Sequence, residues 1–203
     1  MAESFSENKS EIAPDSTNDV ITVQVQPTPN PNALKFIVNR SVKTEGKATF
    51  TNPDQCRDIR LAADLFELPG VSQLHFFENF ITVTFSEELE PDRLEGTVAA
   101  VIRSRMPVHN ADFHLEGEKI KRHVELTPEL QKIEEIFDRT VRPGLQSDGG
   151  DIEVVSLNGH VLTVNYQGAC GTCPSSIMGT LDAIRGILAA EFDPDIDVQI
   201  AYQ

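Results

Sequence analysis

The spacing of apolar and polar positions predicts strands and helices in both halves of the chain. Alternating apolar residues are typical of half-buried strands, and apolar residues three or four positions apart are typical of amphipathic helices. In the first half we expect strands at residues 21–25, 33–38, 48–51, 71–77 and 80–85, and helices at 56–68 and 91–106. The dipeptide Glu78-Asn79 should form the turn between the last two strands.

The second half predicts an α-β-β-α-β order. Thr127 is a favourable N-cap residue, Pro128 suits the first helical position, and Pro143-Gly144 should end that helix. Asn158-Gly159 predicts a type I′ hairpin turn between two strands. The remaining elements are strands at 152–157 and 160–166, a helix that Pro174 opens, and a final strand at 196–202.

These elements indicate an α+β protein made of two small domains. Residues 1–19 are polar and rich in serine, and we expect a disordered tail there. The first domain should span residues 20–115, a charged linker residues 116–126, and the second domain residues 127–203. We expect the first domain to fold independently, to bind no metal, and to recognise partner proteins or adjust the second domain.

Composition and charge exclude several classes of protein. The chain has 203 residues, with 17 basic and 32 acidic side chains and a net charge of −15. Such a surface repels nucleic acids and anionic membranes, so we expect neither as a partner. No apolar run approaches the roughly 20 residues that span a bilayer. The first 20 residues are acidic and lack the apolar core of a signal peptide, which favours a cytoplasmic location over secretion or import into mitochondria.

The chain has three cysteines, and two of them form the Cys-X-X-Cys pair Cys170 and Cys173. A helix beginning just after this pair would favour the thiolate form that binds metals. Three kinds of site use such a pair: an iron–sulfur cluster, a dithiol redox couple and a zinc site. Zinc and clusters normally need four protein ligands, so a cluster on this chain would require a second copy of the motif. The spacing alone leaves these three alternatives open.

Several segments together resemble the Nfu family. Residues 145–152, 158–159 and 168–176 are similar to its NifU-like C-terminal domain, and residues 26–36 and 80–84 are similar to its amino-terminal Nfu domain. The resemblance implies a protein that is not an enzyme. Such a protein is a scaffold or carrier that assembles, holds or carries an iron–sulfur cluster and passes it to apo-proteins. Upstream cluster-assembly proteins are further expected partners.

The same resemblance implies the ligands and the oligomeric state. The family's cluster-binding cysteines correspond to Cys170 and Cys173. Its cluster is typically [4Fe-4S] and bridges two subunits, which implies a homodimer when the cluster is bound. The alternative function, from a different class, is a dithiol–disulfide oxidoreductase that uses the same two cysteines.

Other candidate residues have structural interpretations. Cys56 has no cysteine nearby in the sequence, and we expect a free thiol rather than a ligand. Asp148-Gly149-Gly150-Asp151 offers too few oxygens for a calcium site and should form a tight turn. The proline-rich segment 27–32 should be a rigid turn rather than a partner-binding loop. The five histidines show no ligand spacing.

Overall fold

A computed structural model describes residues 20–86, 91–115, 127–169 and 174–201. Five antiparallel strands form a sheet in the first half, and they match the five strands that the alternation predicts. The strands are β1 (Val23–Pro27), β2 (Ala33–Val38), β3 (Lys47–Phe50), β4 (Val71–Phe77) and β5 (Phe80–Phe85). Their order across the sheet is β1-β2-β5-β4-β3. The predicted tail and the predicted linker lie outside the described residues.

Two helices, α1 (Arg60–Phe66) and α2 (Pro91–Arg105), cover one face of this sheet. Because successive side chains of a strand point to opposite faces, every second residue of β2, β5 and β4 meets these helices. The result is an apolar core shared by the sheet and the helices. Its largest fully buried side chains are Phe36, Phe50, Leu61, Leu65, Leu74, Phe76, Ile81 and Ile102.

The predicted helix at 56–68 is shorter than expected. A 3-10 helix, Pro53–Cys56, precedes it, and the amide of Ile59 donates to the carbonyl of Cys56 at 2.9 Å. Ile59 has φ −109° and ψ 86°, which lie outside the helical region, so α1 begins only at Arg60. The prediction for the second helix is confirmed to within one residue, since α2 ends at Arg105 where the prediction ended at residue 106.

The second half has its own sheet and its own core. Its elements are α3 (Pro128–Thr140), α4 (Arg142–Ser147), β6 (Gly150–Asn158), β7 (Val161–Gly168), α5 (Pro174–Glu191) and β8 (Asp197–Ile200). β6 and β7 are antiparallel, whereas β8 pairs with β7 in parallel. The predicted order is confirmed apart from the added helix α4. The buried apolar residues of this half form a second cluster, with Ile133, Phe137, Ile152, Leu162, Val164, Leu188 and Val198 at its centre.

Two local predictions in this half are wrong. Pro143-Gly144 does not end the first helix, which stops at Thr140. Instead Pro143 lies in the first turn of α4, where a missing N–H group costs little. The hairpin turn is not type I′, because Asn158 pairs with Val161 and the central residues are Gly159 and His160. Only Gly159 has a positive φ, +60°, which is the pattern of a type II′ turn.

The second face of the first sheet carries a row of polar residues. Lys35 on β2 pairs with Thr82 on β5, Thr82 pairs with His75 on β4, and His75 pairs with Thr49 on β3. An antiparallel sheet packed on one side normally exposes such a row to water. Here Lys35, His75 and Thr82 are instead buried, with at most 7% of their surface exposed. The second half of the chain covers them.

Candidate functional site

The two cysteines predicted to hold a metal, Cys170 and Cys173, lie outside the described residues. The structure describes the chain on both sides of them. β7 ends at Gly168 and is followed by the buried residue Ala169, and α5 begins at Pro174. The site is therefore described through the residues that lead into it, and the metal-binding role of the two cysteines stays a prediction.

A corner of two glycines lies directly before the cysteine segment. Gly149 and Gly168 have φ angles of +79° and +66°, which L side chains rarely adopt. The amide of Ala169 donates to the carbonyl of Gly149 at 3.2 Å. A Cβ atom on Gly168 would lie 2.5 Å from that carbonyl oxygen and 3.0 Å from the Cα atom of Gly150. Glycine is required at residue 168 because the two backbones come this close.

The first half of the chain contacts this corner through two hydrogen bonds. The hydroxyl of Thr82 donates to the carbonyl of Gly149 at 2.6 Å, and both groups are buried. The side-chain amide of Asn30 donates to the carbonyl of Ala169 at 3.0 Å, also in a buried position. Ala169 precedes Cys170 in the chain. The N-terminal half therefore contacts the backbone next to the first predicted ligand.

Lys35 binds the end of helix α4. Its ammonium group donates to the carbonyls of Gln146 at 2.8 Å and Ser147 at 3.1 Å. Cations are favourable at a helix C-terminus, where the last carbonyls lack partners within the helix. Burial lowers the pKa of Lys35, and the nearby Asp148 opposes this effect. The contact fixes the chain just before Gly149.

A buried ion pair also joins the two halves of the chain. The carboxylate of Asp151, whose side chain is 2% exposed, lies 3.0 Å from the ammonium group of Lys47 and 3.6 Å from Nε of Arg142. Lys47 also donates to the carbonyl of Ile152 at 3.0 Å. Burial lowers the pKa of Lys47, and attraction to Asp151 raises it in part. The predicted tight turn of residues 148–151 is confirmed, and it ends in this buried charge.

His75 is fully buried between the two halves. Its Nδ1 atom is 2.8 Å from the hydroxyl of Thr49, and its Nε2 atom has no hydrogen-bond partner among the described residues. Its Cδ2 atom would lie 3.2 Å from a Cβ on Gly168. Burial lowers the pKa of His75 to about 4, with a smaller lowering by Lys47 and an opposing effect of Asp151. The imidazole is therefore neutral at physiological pH.

The other titratable candidates belong to local structure. The thiol of Cys56 is buried in the first core, and burial raises its pKa to about 11, so its thiolate is disfavoured. His109 lies 2.7 Å from the carbonyl of Val42, and His160 lies 2.5 Å from the carboxylate of Asp193. Within the described part of the chain, no three His, Cys, Asp or Glu side chains are grouped as a metal site.

Sequence reasoning did not identify the residues that contact the glycine corner. Asn30, Lys35, Lys47, His75 and Thr82 all lie in the first half, more than 60 residues from the segment they bind. Alternation assigns the strand residues among them to the face opposite the core, which sequence alone treats as exposed to solvent. Among these residues, Asn30 alone lies in a segment with a distinctive sequence, the proline-rich turn 27–32.

Two family models match the chain. One is described as "Scaffold protein Nfu/NifU N terminal" and matches residues 23–108. The other is described as "NifU-like domain" and matches residues 133–199. Together they confirm the resemblance in both halves. Among the described residues, no helix is long and apolar enough to cross a membrane.

Curated relatives match over both halves. The chain is 33% identical over 172 residues to a protein from Drosophila erecta named "NFU1 iron-sulfur cluster scaffold homolog, mitochondrial". The match covers 82% of this chain and 60% of that protein. A protein of the same name from Homo sapiens is 33% identical over 178 residues, covering 82% of this chain and 66% of that protein. "NifU-like protein 5, mitochondrial" from Arabidopsis thaliana is 30% identical over 172 residues, covering 82% and 62%.

The match thus spans 60–66% of the length of these relatives. Two of their names describe a scaffold for iron–sulfur clusters, in agreement with the expectation of a protein that is not an enzyme. All three names describe mitochondrial proteins, so they do not support the expected cytoplasmic location, which stays a prediction.

Proposed function

Because the chain belongs to the Nfu family of iron–sulfur cluster scaffold proteins, we propose that it holds a cluster on Cys170 and Cys173 and transfers it to apo-proteins. The observation that carries this proposal is the match of residues 133–199 to the NifU-like domain, since this range includes both cysteines. Upstream assembly proteins would supply the cluster, which is the cargo of the protein. No part of the proposal requires a catalytic step.

The described elements around the motif support thiolate chemistry. Helix α5 begins at Pro174, immediately after Cys173, and continues to Glu191. The positive end of a helix dipole favours negative charge near its N-terminus, so a helix here favours thiolates over thiols. Cys56 is a poor alternative ligand because it is buried and its pKa is raised.

We propose further that the cargo is a [4Fe-4S] cluster shared by two chains. A cube of this kind needs about four thiolates, and each chain offers only two in the motif. A two-fold homodimer that places two motifs together is the simplest closed arrangement. Cluster binding would supply the free energy of association, since the ligands of the two chains come together only around the metal. Cysteines of an acceptor could then displace the four thiolates one after another.

Anaerobic reconstitution with iron and sulfide tests the proposal. The wild-type chain should become brown, bind about four irons per two chains, and shift from monomer to dimer in light scattering. Cys170→Ser and Cys173→Ser should each abolish stable cluster binding, because a hydroxyl is a poor iron ligand compared with a thiolate. Cys56→Ala is the matched control and should bind iron like the wild type.

Three results would contradict this function. A cluster-loaded monomer would exclude the bridged arrangement. Loss of iron binding in Cys56→Ala alone would overturn the ligand assignment. A colourless protein that takes up no iron and forms a reversible disulfide between Cys170 and Cys173 would favour the dithiol–disulfide oxidoreductase.

A further inference from the structure

We propose that two residues of the N-terminal half position the backbone that leads into the cysteine motif: Thr82 on the polar face of the sheet, and Asn30 in the turn between β1 and β2. This inference rests on the proposed function, because it concerns how the same motif is held. It assigns a role to the proline-rich segment 27–32, which the proposed function leaves unexplained. It also gives the N-terminal half a task that does not require another protein.

The two residues bind the two sides of one backbone corner. Thr82 donates to the carbonyl of Gly149, which also accepts the amide of Ala169. Asn30 donates to the carbonyl of Ala169 itself. The peptide group on each side of Ala169 is therefore held. One is bound by Gly149 in the second half, and the other by Asn30 in the turn between β1 and β2. Neither bond can persist if the chain before Cys170 shifts by more than a few tenths of an ångström.

The proline-rich segment holds Asn30 in position for this bond. The backbone amide of Asn30 donates to the hydroxyl of Thr28 at 3.2 Å, and that hydroxyl donates to the carbonyl of Ala33 at 3.0 Å. The side-chain oxygen of Asn30 accepts the amide of Asn32 at 2.9 Å. These local bonds orient the side chain so that its amide group points toward Ala169. The rigid turn expected from the three prolines thus holds Asn30 in place for its contact with the second half.

Burial indicates that the contact is a permanent part of the fold. Asn30 is 3% exposed and Thr82 is fully buried. A polar group in such a position loses its hydration, so its hydrogen bond is costly to break. The corner also lies directly against the sheet, since a Cβ on Gly149 would be 2.9 Å from the Thr82 hydroxyl oxygen.

The consequence for the motif is preorganisation. A segment that follows a fixed residue pays less conformational entropy when its two thiolates bind a metal. Loosening the corner should therefore weaken cluster retention even though no ligand is changed. Cluster retention should fall about threefold to tenfold, which is the effect of losing one buried hydrogen bond.

Matched pairs of variants of the full chain isolate each bond. Thr82→Val removes the hydroxyl that binds Gly149. Thr84→Val is its control, because Thr84 is equally buried on the same strand, and its hydroxyl has no partner within the described chain. Asn30→Asp keeps the acceptor for Asn32 but loses the donor to Ala169. Its control is Asn39→Asp, since Asn39 also accepts one amide and donates to one carbonyl, both at the edge of the first sheet.

Two readouts separate the inference from the function on which it rests. The first is hydrogen exchange of the Ala169 amide in the apo-protein, measured by NMR, which requires no cluster. Thr82→Val and Asn30→Asp should accelerate it about threefold to tenfold, and the two controls should not. The second is the rate at which a chelator bleaches the reconstituted cluster at 400 nm, which should rise by a similar factor in the same two variants.

The outcomes have distinct meanings. Unchanged exchange in both variants would overturn the positioning role. Faster exchange with unchanged bleaching would also overturn it, since the contact would then be structural only. If the wild-type chain binds no cluster, the proposed function is wrong, and the exchange rates alone decide whether Asn30 and Thr82 hold the corner.

Discussion

Acidification should weaken the apo-protein in part through His75, and burial lowers the pKa of His109 in the same direction. This side chain is fully buried, and burial lowers its pKa from 6.5 to about 4. The charged groups around it are Asp151 from β6 and Lys47 from β3, which oppose each other. In the unfolded chain the imidazole takes up a proton near pH 6.5, whereas in the folded chain it stays neutral down to about pH 4.

The sign of the effect follows from proton binding. Between these two pKa values the unfolded state binds more protons, so the free energy of unfolding falls as the pH falls. The contribution of His75 is complete above about pH 6.5 and is lost progressively toward pH 4. The difference of about 2.5 units corresponds to a total of about 3 kcal/mol, of which about 2 kcal/mol should be lost at pH 5.

Urea unfolding of wild type and His75→Gln at pH 7.5 and pH 5.0 measures this contribution. Glutamine does not titrate, and the carboxylates common to both proteins cancel in the comparison. The wild type should therefore lose about 2 kcal/mol more than the variant between the two pH values. His160→Gln is a control of opposite sign, because a hydrogen bond to Asp193 raises the pKa of this exposed histidine and its contribution is lost as the pH rises. Equal losses in wild type and His75→Gln, or an imidazole that titrates near pH 6.5 in the folded chain by NMR, would refute the reasoning.

Two further substitutions test the corner and the ion pair. Gly168→Ala should lower the free energy of unfolding by at least about 2 kcal/mol in urea, because the φ angle is positive and the added Cβ meets a carbonyl oxygen, whereas Gly179→Ala in helix α5 meets open space and should raise it by about 0.5–1 kcal/mol. A stabilising Gly168→Ala would show that the backbones are not in close contact. Lys47→Met should cost about 2 kcal/mol in the same assay, because it removes the nearer of the two cations that pair with the buried carboxylate of Asp151 and leaves Arg142 at 3.6 Å. Arg57→Ala, which breaks an exposed pair with Asp54, should change nothing measurable, and an equally small effect of Lys47→Met would contradict the buried pair.

The strands were predictable because their signal is local. Alternation of apolar residues located all five strands of the first sheet, and the turn at Glu78-Asn79 followed from the polar pair between two of them. The predicted helix end and turn type were wrong where a residue fits two different local structures. Pro143 can follow a helix or open one, and here it lies in the first turn of α4. Asn158-Gly159 likewise fits a hairpin with either residue as its first central position.

The contact between the halves could not be predicted from local patterns. Lys35, His75 and Thr82 occupy positions that alternation assigns to the solvent face, and a polar residue there has no feature that distinguishes burial from exposure. The partners of Lys35 and Thr82 are backbone carbonyls of the second half, and every residue type carries such a carbonyl. The contact therefore depends on where the backbone of the second half runs, and not on which residue types it contains.

Gly168 is important for the fold as well as for the proposed chemistry of the motif. Its place two residues before Cys170 suggests a role in the metal site, but the structure gives a reason for glycine that requires no metal. The position of its Cβ is already taken by the carbonyl of Gly149, which is also the acceptor of the Thr82 hydroxyl. A side chain at residue 168 would thus displace the same oxygen that joins the two halves. Glycine at this position is required for the contact between the halves before any metal binds.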